Sequence, residues 1–165
     1  MENYDFVFES DNICYIKMTE ILINEYMAMY MNQDLQHQLF KNTFSSEAIF
    51  NWLQSQLANN NNNNTILSMI EKSTYEFIGN LEIISEEKNM NEIIISITPN
   101  QQNKHFGREA MEAIAQYCYD VKDASLVYLY VKKENKRAIR CYENAGFSIN
   151  GPGITDEDIQ MIYPK

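Results

Sequence analysis

The loop between a predicted strand ending at Thr98 and a predicted helix starting near Gly107 has the residue types of an anion site. A strand that feeds a helix through a polar loop points several free backbone N–H groups at one spot, and the helix dipole adds partial positive charge there. Lys104 and Arg108 add two positive charges in a chain whose formal net charge is −10. The loop is therefore suited to a pyrophosphate, although an ordinary strand-to-helix connection has similar free N–H groups.

A second pattern, Asn135 to Phe147, brings polar side chains to a predicted helix. Ala138 and Tyr142 are four positions apart, so they share one face of the helix. Asn135 stands at the first turn, where its amide could contact a ligand or cap the helix. Gly146 fits the position after a helix end, where a left-handed conformation is common. Tyr142 is either a functional hydroxyl or a core tyrosine whose hydroxyl lies at the edge.

Together the two patterns resemble the GNAT superfamily of N-acetyltransferases. The family's later signature, N-x-x-A-x-x-x-Y-x-x-x-G-F, is matched at its five fixed positions. The resemblance extends over most of the chain and is closest to the branch with spermidine and ribosomal-protein N-acetyltransferases. The family's pyrophosphate loop has the form Q/R-x-x-G-x-G/A after a strand, and here it reads Gln102-Asn103-Lys104-His105-Phe106-Gly107.

One position of the loop departs from the family pattern, because His105 replaces its first glycine. Glycine there would let the backbone approach the phosphates or take a conformation that is costly for other residues. A histidine still offers its N–H if its dihedral angles are helical, and its ring could donate to a phosphate or cover the cofactor.

The resemblance implies an α/β fold with three layers, α/β/α. Its central sheet would be mixed, mostly antiparallel, and splayed at the cofactor site. Acetyl-CoA would lie in the V-shaped opening between the strand ending near Thr98 and the strand over 125–131. Residues 1–165 would form a single N-acetyltransferase domain.

The resemblance also assigns the cofactor contacts. Pantetheine would pair with backbone around Ile97 and Thr98, Asn135 would contact the pantetheine arm, and the pyrophosphate would lie on the loop. The loop residues of this set are Gln102, Asn103, Lys104, His105, Phe106, Gly107 and Arg108.

Two catalytic side chains follow from the same resemblance. Acyl transfer from a thioester to an amine needs a neutral amine, a stabilised oxyanion and a thiolate that can leave. Tyr142 would protonate the thiolate, since the reference pKa of tyrosine, about 10, is close enough to that of a thiol to share a proton. Glu82 would be the base, acting through a water, unless it is a surface glutamate at an edge position. Glu92 and Tyr130 are weaker candidates for the base.

Hydrophobic periodicity places these residues on elements. We expect Ile21 and Val121 to lie on buried helix stripes, Ile93 to Ile95 to be covered on both faces of a strand, and the asparagine run 59–64 to be a solvated loop. Gly79 would mark a bulge or a close backbone approach. The predicted strands are 4–8, 13–18, 65–71, 76–84, 91–98, 125–131, 146–149 and 158–163, and the predicted helices are 20–31, 33–40, a third after Ser45 or Ser46, 107–121 and 134–144.

Composition excludes several classes of function. The acidic balance argues against a nucleic-acid partner. It permits attraction of cationic substrates such as polyamines, aminoglycosides or basic peptides, but an acidic surface more commonly just keeps a protein soluble. The three scattered cysteines form neither a disulfide framework nor a metal pair. The only two histidines, His37 and His105, are not near a Ser or Cys motif, so neither a hydrolytic triad nor a catalytic metal is expected.

No apolar run is long enough to cross a bilayer, and the first residues lack a signal-peptide pattern. We therefore expect a cytoplasmic protein with no membrane partner. Dimers are frequent in the superfamily, so a homodimer is a further expectation.

Two hypotheses for the function follow. The first is an enzyme that acetylates a primary amine, on a small cation or on a protein N-terminus. The second is a catalytically inactive GNAT-fold module that binds CoA or a protein partner, and it is motivated by His105.

Overall fold

A computed structural model of the chain describes residues 4–40, 42–61 and 63–165, without the side chain of Gln38. Short 3-10 turns lie at Glu20–Leu22, Glu87–Asn89 and Pro99–Gln101. The strands are β1 (Phe6–Glu9), β2 (Ile13–Lys17), β3 (Asn64–Glu71), β4 (Phe77–Ser85), β5 (Met90–Ile97), β6 (Leu126–Lys132), β7 (Ser148–Pro152) and β8 (Asp158–Tyr163). The helices are α1 (Ile23–Tyr30), α2 (Gln33–Leu39), α3 (Ser46–Asn59), α4 (Phe106–Asp120) and α5 (Lys136–Asn144).

The strands of the described residues form one sheet in the order β1-β2-β3-β4-β5-β6-β8-β7. Every neighbouring pair is antiparallel except β5 and β6, which are parallel. The expected mixed, mostly antiparallel sheet is therefore confirmed. The one parallel pair is joined through α4, as a parallel connection requires a long crossover.

The parallel pair splays apart after three residues. β5 pairs with β6 only where Met90–Glu92 faces Leu126–Tyr128. Beyond that point β5 stays paired with β4 as far as Ile97, and β6 stays paired with β8 as far as Lys132. Because each strand is held on its outer edge, the gap between them widens into a wedge, which agrees with the opening expected from the sequence.

Helices cover both faces of the sheet, which gives the three layers α/β/α. One apolar cluster packs α1, α2 and α3 on the face that includes Ile16 and Ile66 of β2 and β3. A larger cluster packs α4 and α5 on the opposite face, around Leu81, Ile114 and Leu129. Alternate residues of a strand point to opposite faces, so β2 and β3 contribute buried residues to both clusters.

Gly79 of β4 marks the close backbone approach expected there. Its φ is +153°, and a Cβ at this position would collide with the backbone carbonyl of Ser96 on β5. The pairing register of β3 and β4 shifts between Met69 and Ile70, next to the same place. Only glycine allows β4 and β5 to stay this close.

Three apolar residues expected to be buried are exposed. Ile21 is 57% exposed because residues 20–22 form a 3-10 turn, whose three residues per turn break the phase of the α1 stripe. Val121 is 63% exposed because it lies just past the end of α4. Ile94 is 37% exposed because β6 has left β5 at this level, so the expectation that residues 93–95 are covered on both faces is wrong.

The asparagine run belongs partly to regular structure. Asn59 is the last residue of α3 and Asn64 the first of β3. The amide of Asn60 donates to the carbonyl of Ile66 and accepts from its N–H, which ties the helix end to the strand start. The run is thus a short connector rather than a six-residue loop, and Asn62 lies outside the described residues.

Candidate active site

A cleft of about 950 Å³ occupies the wedge between β5 and β6. The first turns of α4 and α5 close one side of it, and α2 borders it through Leu35 and Leu39. Of the residues predicted to form the site, nine line this cleft: Ile97, Gln102, Asn103, His105, Phe106, Gly107, Arg108, Asn135 and Tyr142. Glu82, Thr98 and Lys104 are not among the residues that line it.

The backbone of β5 presents alternate residues to the wedge. The N–H of Thr98 donates to the carbonyl of Ile78 on β4 at 2.9 Å. Because hydrogen-bonding direction alternates along a strand, the backbone groups of Ile93, Ile95 and Ile97 face β6 and the wedge. The backbone of Ile97 thus faces the wedge, whereas the Thr98 N–H is occupied within the sheet, and the Oγ1 of Thr98 is buried without a hydrogen-bond partner.

The loop before α4 contains two left-handed residues, Asn103 with φ of 63° and His105 with φ of 70°. His105 occupies the cap position of α4, and its side chain makes no capping hydrogen bond. From the sequence, we expect His105 to offer its N–H if its dihedral angles are right-handed helical. They are instead left-handed, a conformation that glycine adopts readily. The chain keeps the backbone shape of a glycine loop with a histidine in the glycine position.

Two loop side chains stabilise the loop itself. Gln102 Nε2 donates to the carbonyl of Ile97 at 3.0 Å and joins the loop to the end of β5. Lys104 Nζ donates to Oε1 of Gln101 at 2.8 Å. Lys104 is exposed outside the cleft wall, so within the loop it is Arg108, on the first turn of α4, that brings positive charge to the cleft.

Gly107 allows the first turns of α4 and α5 to approach each other. A Cβ at Gly107 would lie 3.1 Å from Sγ of Cys141 and 3.3 Å from Cδ1 of Ile97. Both distances are shorter than ordinary van der Waals contacts. A side chain here would push α4 away from α5 and β5, and would move the free N–H groups at the start of α4.

Asn135 caps α5, which is one of the two roles open from the sequence. Its Oδ1 accepts from the N–H of Ala138 at 3.1 Å, and its own N–H donates to the carbonyl of Lys132 at the end of β6. The cap uses only the oxygen of the amide, and no described residue accepts a hydrogen bond from Nδ2. The amide nitrogen of this cleft-lining residue is therefore free to donate to a ligand.

Tyr142 lies two turns further along α5, at the wall of the cleft. Its ring is tilted against Phe147, 6.3 Å away between ring centroids. Burial, and to a smaller extent the neighbouring Cys141, raises the pKa of Tyr142 above its usual value. Its hydroxyl therefore carries its proton at neutral pH, and no described residue makes a hydrogen bond to it.

Glu82 lies on β4, one strand away from the cleft wall. It faces Ile94 across the β4–β5 pair, so its side chain is on the face covered by α1 to α3. Burial raises the pKa of Glu82, and a hydrogen bond from Asn64 partly offsets the rise. Burial also raises the pKa of Glu92 on β5, and the nearby charges of Glu86 and Glu82 add to it.

Basic residues on the α5 side of the cleft are part of the site that motif reasoning missed. Five of the chain's 13 Lys and Arg residues are among the described residues that line the cleft. The signal was present in the sequence, since three of them fall within six positions of an acidic chain. The five are Arg108, which the loop motif already assigned, and Lys132, Lys136, Arg137 and Arg140, to which the motifs assigned no role.

The family of the chain follows from comparison with known proteins. The family model described as an acetyltransferase (GNAT) domain matches residues 16–148. The chain belongs to the GNAT acetyltransferase family. The match includes the wedge, the α4 loop and the α5 signature, so the geometry above is that of a GNAT fold.

Curated relatives of this GNAT chain include spermidine N(1)-acetyltransferases. The protein of Vibrio cholerae is 26% identical over 104 residues, which cover 58% of the chain and 60% of the relative. That of Escherichia coli K12 is 37% identical over 60 residues, covering 36% of the chain and 32% of the relative. The matched part thus spans 60% or less of the length of these relatives.

Solved GNAT structures resemble the whole fold. Spermidine N-acetyltransferase from Vibrio cholerae, in complex with CoA and spermine, has a TM-score of 0.77 at 18% identity and covers 93% of this chain and 95% of that one. A GNAT-family acetyltransferase from Bacillus anthracis has a TM-score of 0.79 at 15% identity, with 95% of both chains covered. These likenesses confirm the α/β/α architecture with its central sheet.

The described residues contain neither a membrane-spanning helix nor a cluster of metal ligands. None of their helices is long and apolar enough to cross a membrane. Nor do the described residues contain a group of three or more His, Cys, Asp or Glu side chains that could hold a metal ion.

Proposed function

We propose that this chain is an acetyl-CoA-dependent N-acetyltransferase that moves an acetyl group to a primary amine, with residues 1–165 acting as one domain. The wedge between β5 and β6 carries the proposal. It combines free backbone groups on one strand, a helix N-terminus at its mouth and a protonated tyrosine at its wall. A thioester cofactor with a long polar arm and a pyrophosphate matches these groups: the arm suits the strand backbone, the pyrophosphate the helix N-terminus, and the thioester the tyrosine.

The residues present fit acetyl-CoA. The wedge-facing backbone of Ile95 and the N–H of Ile97 would pair with the amides of the pantetheine arm, as a β-strand would. The Nδ2 of Asn135 would donate to the same arm. The free N–H groups that follow His105 at the start of α4, together with the charge of Arg108, would hold the pyrophosphate.

The reaction would be a direct transfer. The amine nitrogen attacks the thioester carbonyl carbon, a C–N bond forms, and the C–S bond breaks as the thiolate leaves. Tyr142 would give its proton to the thiolate, for which it is held protonated at neutral pH, although burial makes it a weaker acid than a free tyrosine. Glu82 would accept the proton of the amine through a water, since the raised pKa of its carboxylate makes it a stronger base than an exposed glutamate.

A polyamine is the acceptor that the charges support best. The Vibrio cholerae relative is a spermidine N(1)-acetyltransferase. The chain carries 23 acidic and 13 basic residues. Glu82 and Glu86 lie close enough to Glu92 for their negative charges to raise the pKa of its carboxyl. A cationic acceptor would relieve this repulsion. The homodimer and the cytoplasmic location expected from the sequence stay predictions.

The experiment measures binding first and turnover second. Acetyl-CoA should raise the melting temperature, and thiol release should follow when spermidine or spermine is added. The other acceptors tested are a monoamine, an aminoglycoside and a peptide with a free N-terminus. Tyr142→Phe should still bind acetyl-CoA and lose most turnover, roughly 10²-fold or more.

Each result decides between the two hypotheses. Turnover that depends on Tyr142 supports the enzyme, and acetylation of the peptide alone would assign a protein acceptor. Binding of acetyl-CoA without turnover on any amine would instead make the chain a CoA-binding module. Absence of binding would overturn both.

A further inference from the structure

The distribution of charge around the cleft is opposite to that of the chain. The chain has a formal net charge of −10, yet five of the described residues that line the cleft are basic. Asp158 is the one acid among the described lining residues, and its carboxylate accepts a hydrogen bond from Thr155 at 2.7 Å. A concentration of like charge is costly unless a ligand of opposite sign offsets it.

Three of the basic residues belong to the first two turns of α5. Arg137 and Arg140 are three positions apart and so lie on one face of the helix, and Lys136 precedes them. All three are exposed. Among the described residues, no carboxylate lies within 4.0 Å of the arginines to form an ion pair. Their guanidinium groups are therefore available to a ligand.

Arg108 of α4 comes to the same place from the other side. The first turns of α4 and α5 touch where Gly107 packs on Cys141. Burial raises the pKa of the Cys141 thiol, while the positive charges of Arg137 and Arg108 both act to lower it. The charges of Arg137 on α5 and Arg108 on α4 thus act on the same sulfur atom, and both residues line the cleft.

The pyrophosphate does not account for this much charge. The N–H groups at the start of α4 and Arg108 already suit the pyrophosphate of the proposed cofactor. The basic residues of α5 are therefore left without a partner group on the pyrophosphate. Arginine matches the oxygens of a phosphate monoester with two parallel hydrogen bonds, and such a group carries about −1.5 to −2 charge at pH 7.

We propose that Arg137 and Arg140, with Lys136, form a subsite for the 3′-phosphate monoester on the cofactor ribose. The subsite makes the chain selective for CoA over cofactors that lack this phosphate. The inference rests on the proposed function, because it assumes that the pyrophosphate lies at α4. It goes further in naming a second phosphate group and the residues that recognise it.

The test compares CoA with 3′-dephospho-CoA by calorimetry at 0.15 M salt, using the complete chain. The wild-type protein should bind CoA roughly tenfold more tightly, a difference typical of charge-assisted hydrogen bonds. Arg137→Gln and Arg140→Gln should each weaken CoA binding several-fold and leave 3′-dephospho-CoA binding nearly unchanged. Lys88→Gln, which removes a charge outside the cleft lining, should preserve the tenfold preference.

The outcomes are separable from those of the proposed function. Equal affinity of the wild-type protein for both cofactors would overturn the subsite and leave the acetyltransferase proposal intact. Equal weakening of both cofactors in the arginine variants would reassign the arginines to the pyrophosphate. If neither cofactor binds, both proposals fail. As a fragment test, adenosine 3′,5′-bisphosphate should compete with CoA more strongly than adenosine 5′-monophosphate does.

Discussion

His105 combines a side chain with the backbone conformation of a glycine. Its φ of 70° places it in the left-handed region, which histidine visits more often than most residues but which is still costlier for it than for glycine. The family pattern has glycine here, so the left-handed conformation is imposed by the loop and not by the residue. Strain at this position is then stored beside the free N–H groups at the start of α4.

Two substitutions at His105 should separate the backbone from the ring. His105→Gly should be more stable to urea than His105→Ala by about 1 kcal/mol, since both lack the ring and only alanine keeps the left-handed penalty. The same pair at Glu112, an exposed position inside α4, serves as the control. There the order should reverse, because glycine weakens a helix interior by about 1 kcal/mol relative to alanine.

Glu82 should set the acid side of the pH profile. If its carboxylate is the base, kcat/KM for the amine rises with pH as the carboxylate loses its proton, and burial shifts that rise above the ordinary carboxyl range. Glu82→Gln should lower kcat roughly 10²-fold and remove the rise. Glu92→Gln, on the neighbouring strand, should keep it. A profile unchanged in Glu82→Gln would make Glu82 a structural residue.

The first turn of α4 is attached to the β1–β2 turn through Glu109. Its Oε1 accepts from Ser10 Oγ at 2.6 Å and from the N–H of Asn12 at 2.7 Å, and its Oε2 accepts from Asn12 Nδ2 at 2.9 Å. Burial alone would raise the pKa of Glu109, but these bonds and one from the Ile13 N–H lower it overall. A segment 97 residues away in sequence thus positions the helix that would hold the pyrophosphate.

Loss of this carboxylate should weaken the fold in a pH-dependent way. Because its folded-state pKa is depressed, Glu109 contributes stability that is present above its unfolded pKa and is lost as pH falls through the folded value. Glu109→Ala should lower the free energy of unfolding at pH 7 by about 2 kcal/mol, and by less at pH 3. Denaturant melts at both pH values measure this. Glu112→Ala, one turn later, should change little at either pH.

The elements were more predictable from the sequence than the directions of their side chains. Strand and helix bounds agree to within a few residues, because apolar spacing records which face is buried. Ile21 and Ile94 were misplaced for different reasons. The 3-10 turn rotates Ile21 away from the buried face of α1, and the splay of β6 from β5 leaves Ile94 uncovered. Both effects arise from tertiary structure, which a local pattern does not contain.

In the candidate site, too, positions along one element were predictable from the sequence, whereas contacts between elements were not. The signature on α5 located Asn135 and Tyr142, since both are fixed by spacing along a single helix. The direction of the Thr98 N–H depends on strand pairing with Ile78, and the convergence of Arg108 with Arg137 depends on packing between two helices. Neither follows from the sequence without the fold.

At the scale of the whole molecule, the charges are separated. An acidic chain surrounds a cleft with five basic lining residues, and a carboxylate group including Glu82 and Glu92 lies on the other face of the splayed sheet. A cofactor with several phosphates and a polycationic acceptor would therefore be attracted to different faces. This arrangement would keep the acceptor from competing for the phosphate sites.

The separation predicts how salt affects each substrate. Raising ionic strength from 0.01 to 0.15 M shortens the screening length from about 30 to about 8 Å. We expect kcat/KM for spermine to fall about tenfold, because long-range attraction of a polycation is screened. A monoamine that the protein also acetylates, with a single charge, should lose less than threefold under the same conditions.

Neutral osmolyte at matched viscosity controls for diffusion, and saturating acetyl-CoA keeps the cofactor bound throughout. Equal salt dependence for spermine and the monoamine would show that the net charge of −10 plays no part in acceptor capture. The acidic surface would then serve solubility alone. A steeper dependence for spermine that disappears in Glu82→Gln/Glu92→Gln, measured on the residual rate, would locate the attraction at those carboxylates instead of the surface as a whole.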